Sequence, residues 1–154
     1  MPLDELQAKI DASMRNASAL MRELFSSGSM DAATIRDFVN DVMSVSVATV
    51  LSSGRPHSAL TLIACSNDGD LYFAANERSV LFRNLQRSAY VALTVDAREH
   101  GLMAQGQAEL VGYAPTLRSG LLPELDRATR REGWLPDDWT GAIYRVHLHR
   151  IFGR

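Results

Sequence analysis

Few side chains in this sequence are of the kinds that do chemistry, and their spacing narrows what they could do. His147 and His149 stand two apart in YRVHLHRIFG. On an extended strand both imidazoles share one face with Arg145, opposite Tyr144, Val146 and Leu148. Such a pair could share a metal or lie beside a haem. Zinc needs a third and usually a fourth ligand, and the other histidines are His57 and His100, with Cys65 the single thiol. The sequence therefore predicts no metal site, and a polar strand face or a subunit contact accounts for the pair. Cys65 falls in mid-strand, where a thiol generally packs as a small hydrophobe. No GxSxG elbow is present to supply a nucleophilic serine.

The remaining candidates are suited to holding an anion or a polar edge. Arg55 and His57 flank Pro56 at the start of a strand, where a cation could stabilise a negative charge at the edge of a cleft. Arg83, beside Asn84 and close to a predicted helix start, is placed for an anionic group. Gln105 precedes Gly106 in another strand, and its amide could bond a ligand edge or satisfy a barrel-lining position.

The elements that must position these residues follow from local pattern. Leu6, Ile10, Met14, Ala17, Met21 and Leu24 recur at helical spacing and predict a helical first thirty residues with one apolar stripe, ended by Ser26-Ser27-Gly28. Asp31 is the expected N-cap of a further helix that buries Ile35, Phe38, Val39 and Val42. Strands are predicted over 45–52, 57–65, 71–75, 91–95, 102–111 and 142–151, with Ser66-Asn67-Asp68-Gly69 as a hairpin turn. A short helix fits 79–87, and Pro115 and Pro123 place two more within 114–132. Gly101, Gly106 and Gly112 mark bends or close backbone approaches. Hairpins first, with helices at the ends and between, predict an α+β fold. Its centre is an antiparallel split β-barrel of about six strands with N-terminal and peripheral helices. The division expected is a helical segment, 1–43, packing on the barrel or on a partner subunit, and a barrel over 44–154.

Composition sets outer limits. The chain has 154 residues, 46% hydrophobic and 22% charged, with a formal net charge of -2. It is long enough for a core without disulfides, and one cysteine excludes an internal disulfide framework. Near-neutral charge gives no overall attraction to nucleic acid. No run approaches the roughly 18 apolar residues of a membrane helix, and MPLDELQAKI lacks a secretory h-region, so a cytoplasmic protein is expected. No GxGxxG or GxxxxGK[ST] occurs.

Five segments in order, VATV, SGRPHSALTLIA, DGDLYFAAN, RNLQRSAYVALTV and GLMAQGQAELV, cover about residues 45–112. They resemble the pyridoxamine 5'-phosphate oxidase-like, FMN-binding split-barrel family, with a weaker echo in YRVHLHRIFG. The resemblance implies a homodimer with a flavin, FMN or alternatively a deazaflavin, in a cleft between subunits. It implies that the strand Ser58 to Ala64, with Thr61, Leu62 and Ile63, runs beside the ring system and offers backbone groups to its polar edge. Ala75 and Asn76 would lie near the phosphate, with Arg78, Ser79 and Arg83 following. Family members usually carry a basic pair after the serine, whereas here Ser79 precedes Val80 and Leu81. Arg78 and Arg83 flank that gap and could substitute. The function implied is a flavin- or deazaflavin-dependent oxidoreductase acting on a small planar substrate. The alternative is a non-catalytic ligand-binding protein without the phosphate clamp, its cleft lined by Leu62, Ile63, Phe73 and Phe82. A third possibility is haem held by His147 or His149.

Overall fold

Alternation of inward apolar and outward small or polar residues, as in Ser44–Val50, lets each strand bury one face and bond along both edges. In the computed structural model, which describes residues 2–154, six such strands close into a ring. They are β1 (Ser44–Val50), β2 (Pro56–Cys65), β3 (Leu71–Ala75), β4 (Tyr90–Ala97), β5 (His100–Tyr113) and β6 (Ala142–Gly153). All pairings are antiparallel, in the order β1-β2-β3-β6-β5-β4. The helices are α1 (Leu3–Arg15), α2 (Ala19–Ser26), α3 (Ala32–Val42), α4 (Val80–Arg87), α5 (Ala114–Leu117) and α6 (Leu121–Thr129). This is the α+β split barrel that the sequence pattern predicts. No helix among the described residues is long and apolar enough to cross a membrane.

The interior holds Val45, Val47, Ile63, Phe73, Leu93, Leu102, Tyr144 and Ile151, with Phe73 and Tyr144 rings stacked 5.4 Å apart. A second apolar layer lies outside the barrel wall, where Trp134, Leu135, Leu122 and Leu125 cover Ala64, Tyr72, Ala74 and Ile143. Helix α1 lies against β6 and α3 against β2.

Several local expectations meet their geometry here. The Asp31 carboxylate accepts from the Thr34 N–H at 2.8 Å, capping α3. Gly69, at φ +94°, turns the β2–β3 hairpin. The first thirty residues, in contrast, are two helices and not one. Ser18 caps a fresh start, accepting from the Met21 N–H, so the stripe is cut after Arg15. Phe25 is buried against Phe152 in place of Leu24, which is exposed. On α3, Asn40 is buried and Phe38 and Val42 only partly so.

Asn40 ends the β2 ladder. Its Oδ1 accepts from the Cys65 N–H at 2.7 Å, and its Nδ2 donates to the Cys65 carbonyl at 2.9 Å and to the Ala128 carbonyl at 3.2 Å. The side-chain amide thus pairs with Cys65 as a neighbouring strand would and ties α6 to the same point. Across the barrel, β5 and β6 slip by one residue. Gln105 opposes Arg150 while Gly106 opposes Leu148, leaving His149 as the extra residue of a bulge.

Candidate functional site

The barrel opens where β2 and β3 part. Strand β2 pairs with β1 from Pro56 to Leu62, but β3 joins it only at Ile63, Ala64 and Cys65. The Ile63 N–H donates to the Met43 carbonyl on the β1 side at 3.0 Å. Backbone direction alternates along a strand, so Ser58 and Leu60 turn their N–H and C=O toward the open edge. That edge offers donors and acceptors at fixed spacing without any side chain. Thr61 faces inward, and its hydroxyl is occupied, donating to the Ala74 carbonyl at 2.6 Å.

Not every residue expected beside a ring is available to one. Ile63 is a correction: its side chain is fully buried in the barrel and its carbonyl accepts from the Trp134 indole N–H at 3.2 Å. Ala75 is buried likewise, and Phe73 and Phe82 belong to the interior and not to a cleft wall. Leu62 is half-buried against the Trp134 layer. At the mouth of β2, Arg55 is exposed on the β1–β2 turn, its carbonyl accepting from the Leu51 N–H at 2.8 Å. His57 shares the inward phase of Ala59 and Ile63. Its Nδ1 is shielded and has no hydrogen-bond partner among the described residues.

The segment after β3 is a closed turn. Asn76 Oδ1 accepts from the Arg78 N–H at 2.9 Å, and the Ser79 hydroxyl donates to the Asn76 carbonyl at 2.6 Å while accepting from the Phe82 N–H at 3.0 Å. Ser79 is therefore the N-cap of α4. Behind it, Asn84 donates to the Thr49 hydroxyl at 3.0 Å and Arg87 to the Val50 carbonyl, fastening α4 to β1. The two arginines diverge. Arg78 lines a polar hollow with Glu77, Asp138, Trp139 and Thr140, while Arg83 sits exposed one turn into α4. Neither guanidinium makes a hydrogen bond or ion pair among the described residues. Trp134 is structural, and Trp139 is held against Gly141, where an added Cβ would also meet the Ala75 carbonyl at 2.8 Å. Arg118 fixes that loop by donating to the Pro136 and Trp139 carbonyls, each at 2.9 Å.

The outer face of β1, β2, β4 and β5 is apolar and uncovered. Leu60 is 76% exposed, Tyr90 64%, Val50 49% and Met103 41%. Gln105 projects from this face and lines two adjoining hollows, one shared with Tyr90 and His149, the other with Met21, Met103 and Arg150. His149 lies edge-on to Tyr90, with ring centroids 6.3 Å apart. His147 instead contacts the Glu109 carboxylate at 2.7 Å. Among the described residues no three His, Cys, Asp or Glu side chains gather as metal ligands.

Burial sets the titration of the interior. It pushes the Cys65 thiol up to about 12, from an ordinary value of 9.0, and Tyr144 up to about 12 from 10.0. Cys65 is thus a buried hydrophobe at neutral pH and not a nucleophile. Both groups keep their protons in the folded chain when the unfolded chain has lost them. Stability should be level below pH 9, then fall through the window from pH 9 to pH 12 by about 1.4 kcal/mol per pH unit for each group in play. Urea midpoints from pH 8 to pH 11 measure this, and Cys65→Ala should delay the onset by about one pH unit.

The comparisons with known proteins complete this geometry. Residues 32–132 match the family described as pyridoxamine 5'-phosphate oxidase. The chain belongs to that family. The matched span runs from α3 through α6, so it contains the β2 edge and the turn after β3, while Trp134 and β6 lie beyond it. Solved structures of the family fold lie close in shape. The FAD binding protein from Mycobacterium smegmatis aligns with a TM-score of 0.59 at 18% identity, over 82% of this chain and 95% of that one. The heme storage protein from Vibrio cholerae aligns with a TM-score of 0.57 at 16% identity, over 77% and 90%. A protein of unknown function from Agrobacterium tumefaciens reaches 0.60 at 21% identity, covering 80% of this chain and 55% of that one, so this chain spans about half its length. No curated protein matches the sequence. Val80 is half-buried and Leu81 only 2% exposed, so apolar contacts to the barrel occupy the start of α4.

Proposed function

We propose that this chain is an oxidoreductase of the flavin type. FMN, or alternatively a deazaflavin, would be held at the β2 edge, with a small planar substrate stacked on the ring. The observation that carries the reading is the unpaired edge at Ser58 and Leu60, where β2 has left β3 but keeps its pairing to β1. A flat ring with a polar rim needs backbone donors and acceptors held rigidly at fixed spacing, and a closed barrel wall provides that rigidity.

The residues present fit the ring end of such a cofactor well. Ser58 and Leu60 would orient it through their backbone groups. Arg55, at the mouth of the strand, adds positive charge there, and the amide of Gln105 stands on the uncovered face. When bound, the ring supplies the hydride or electron transfer, and the protein supplies orientation and exclusion of water. The exposed Leu60, Val50, Tyr90 and Met103 support a second copy of the chain covering this face, with the cleft at the subunit boundary.

Titration with FMN tests the reading. Bound flavin should shift its visible absorbance and lose fluorescence, and a protein that leaves both unchanged at high micromolar FMN would sink it. The occupied oxygens of Asn76 and Ser79 favour a second reading, a binding protein without turnover. Flavin that binds, yet passes no hydride from reduced nicotinamide to quinone or oxygen, would favour that second reading.

A further inference from the structure

We propose that this chain holds its flavin mainly by the ring and not by the phosphate, so that riboflavin binds within about 25-fold of FMN. The inference rests on the flavin reading above and specifies the ligand class of that site.

The physical ground is the inventory of groups at the end of β3. A phosphate dianion is held firmly by charge-assisted hydrogen bonds in a partly buried place. The polar side chains of this turn are already engaged within it. Asn76 accepts from Arg78, Ser79 donates to Asn76 and accepts from Phe82, and the Asn76 carbonyl also accepts from the Ser79 N–H at 2.9 Å. The next two side chains are hydrocarbon, and Leu81 packs into the barrel interior. The side chains that remain are two exposed guanidiniums. Arg78 shares its hollow with the carboxylates of Glu77 and Asp138, which oppose an added anion, and Arg83 stands on the solvent side of α4.

Magnitude decides the matter. An exposed ion pair multiplies affinity by roughly two- to fivefold. A partly buried charge-assisted hydrogen bond multiplies it by roughly ten- to a hundredfold. Two exposed arginines therefore give FMN an advantage over riboflavin of at most about 25-fold, and salt weakens it. The backbone groups of β2 face either ligand equally.

The test is paired fluorescence titration of the full chain with riboflavin and with FMN, at low and at moderate salt. The expected result is an FMN preference below about 25-fold, shrinking as salt rises. Arg83→Ala should weaken FMN by less than about fivefold and leave riboflavin unchanged. Val80→Arg, at a half-buried position beside the cap, should raise the FMN preference without altering riboflavin affinity. An FMN preference above about 25-fold overturns the inference and leaves the flavin reading standing. Binding of neither ligand overturns both.

Discussion

Replacing Asn40 with alanine should lower the stability of this protein by about 4 kcal/mol, a large share of what a domain of this size possesses. The amide satisfies both the N–H and the carbonyl of Cys65 and the carbonyl of Ala128, all through one side chain that is 6% exposed. Alanine leaves those groups without partners and out of reach of bulk water, each at roughly 1–3 kcal/mol. Asn40→Asp should also be strongly destabilising, because a carboxylate keeps the acceptor but loses both donors and buries a charge. Urea denaturation followed by circular dichroism measures both, with Asp41→Ala, on the exposed side of α3, as the control within about 0.5 kcal/mol. A loss below about 1 kcal/mol for Asn40→Ala would show that Cys65 finds other partners. Because Asn40 holds the last residue of β2, the same substitution should weaken flavin binding at the edge begun by Ser58.

The second large effect is expected at Gly106. A Cβ there would collide with the His147 carbonyl oxygen and stand 3.0 Å from its carbon and 3.2 Å from Leu148 Cα. All three are backbone atoms of the bulged strand, so no rotamer change can relieve the contact. Gly106→Ala should cost about 3 kcal/mol and disturb the β5–β6 register. Gly101→Ala is the matched control in the same strand, since its nearest neighbour would be 3.9 Å away and its φ is not positive. Equal melting temperatures for the two variants would refute the close approach. The Gly106 variant should also displace Gln105 and His149, which the bulge presents on the outer face.

The barrel itself was legible because its signals are local. β-branched alternation, the Asp68-Gly69 turn and the Asp31 cap each depend on residues within a few positions. The site was legible only in part. The cation candidates and the β2 strand stand out by residue type. Which backbone groups on β2 are free depends on where β3 diverges, a property of pairing between distant residues. Asn40 was missed for a related reason. An amide on a helix face carries no mark of the strand end 25 residues away that it completes. The apolar stripe read as one helix continues across a break, because Met14 and Met21 both pack toward Phe152 although Ser18 restarts the helix between them. The bulge at His149 is marked in the sequence only by Gly106 opposite it and by the three-residue step from Leu148 to Ile151, which does not say which residue is the extra one.

The open stretch of β2 has a bearing on how the protein behaves before it meets its ligand. An unpaired strand edge with Leu60 beside it is a template on which another extended chain can add. Freshly synthesised molecules therefore carry an aggregation hazard that the proposed ligand capture and subunit pairing would remove together. Yield of dispersed protein on overexpression should follow flavin supply in the growth medium, while the fold of each molecule already formed does not change.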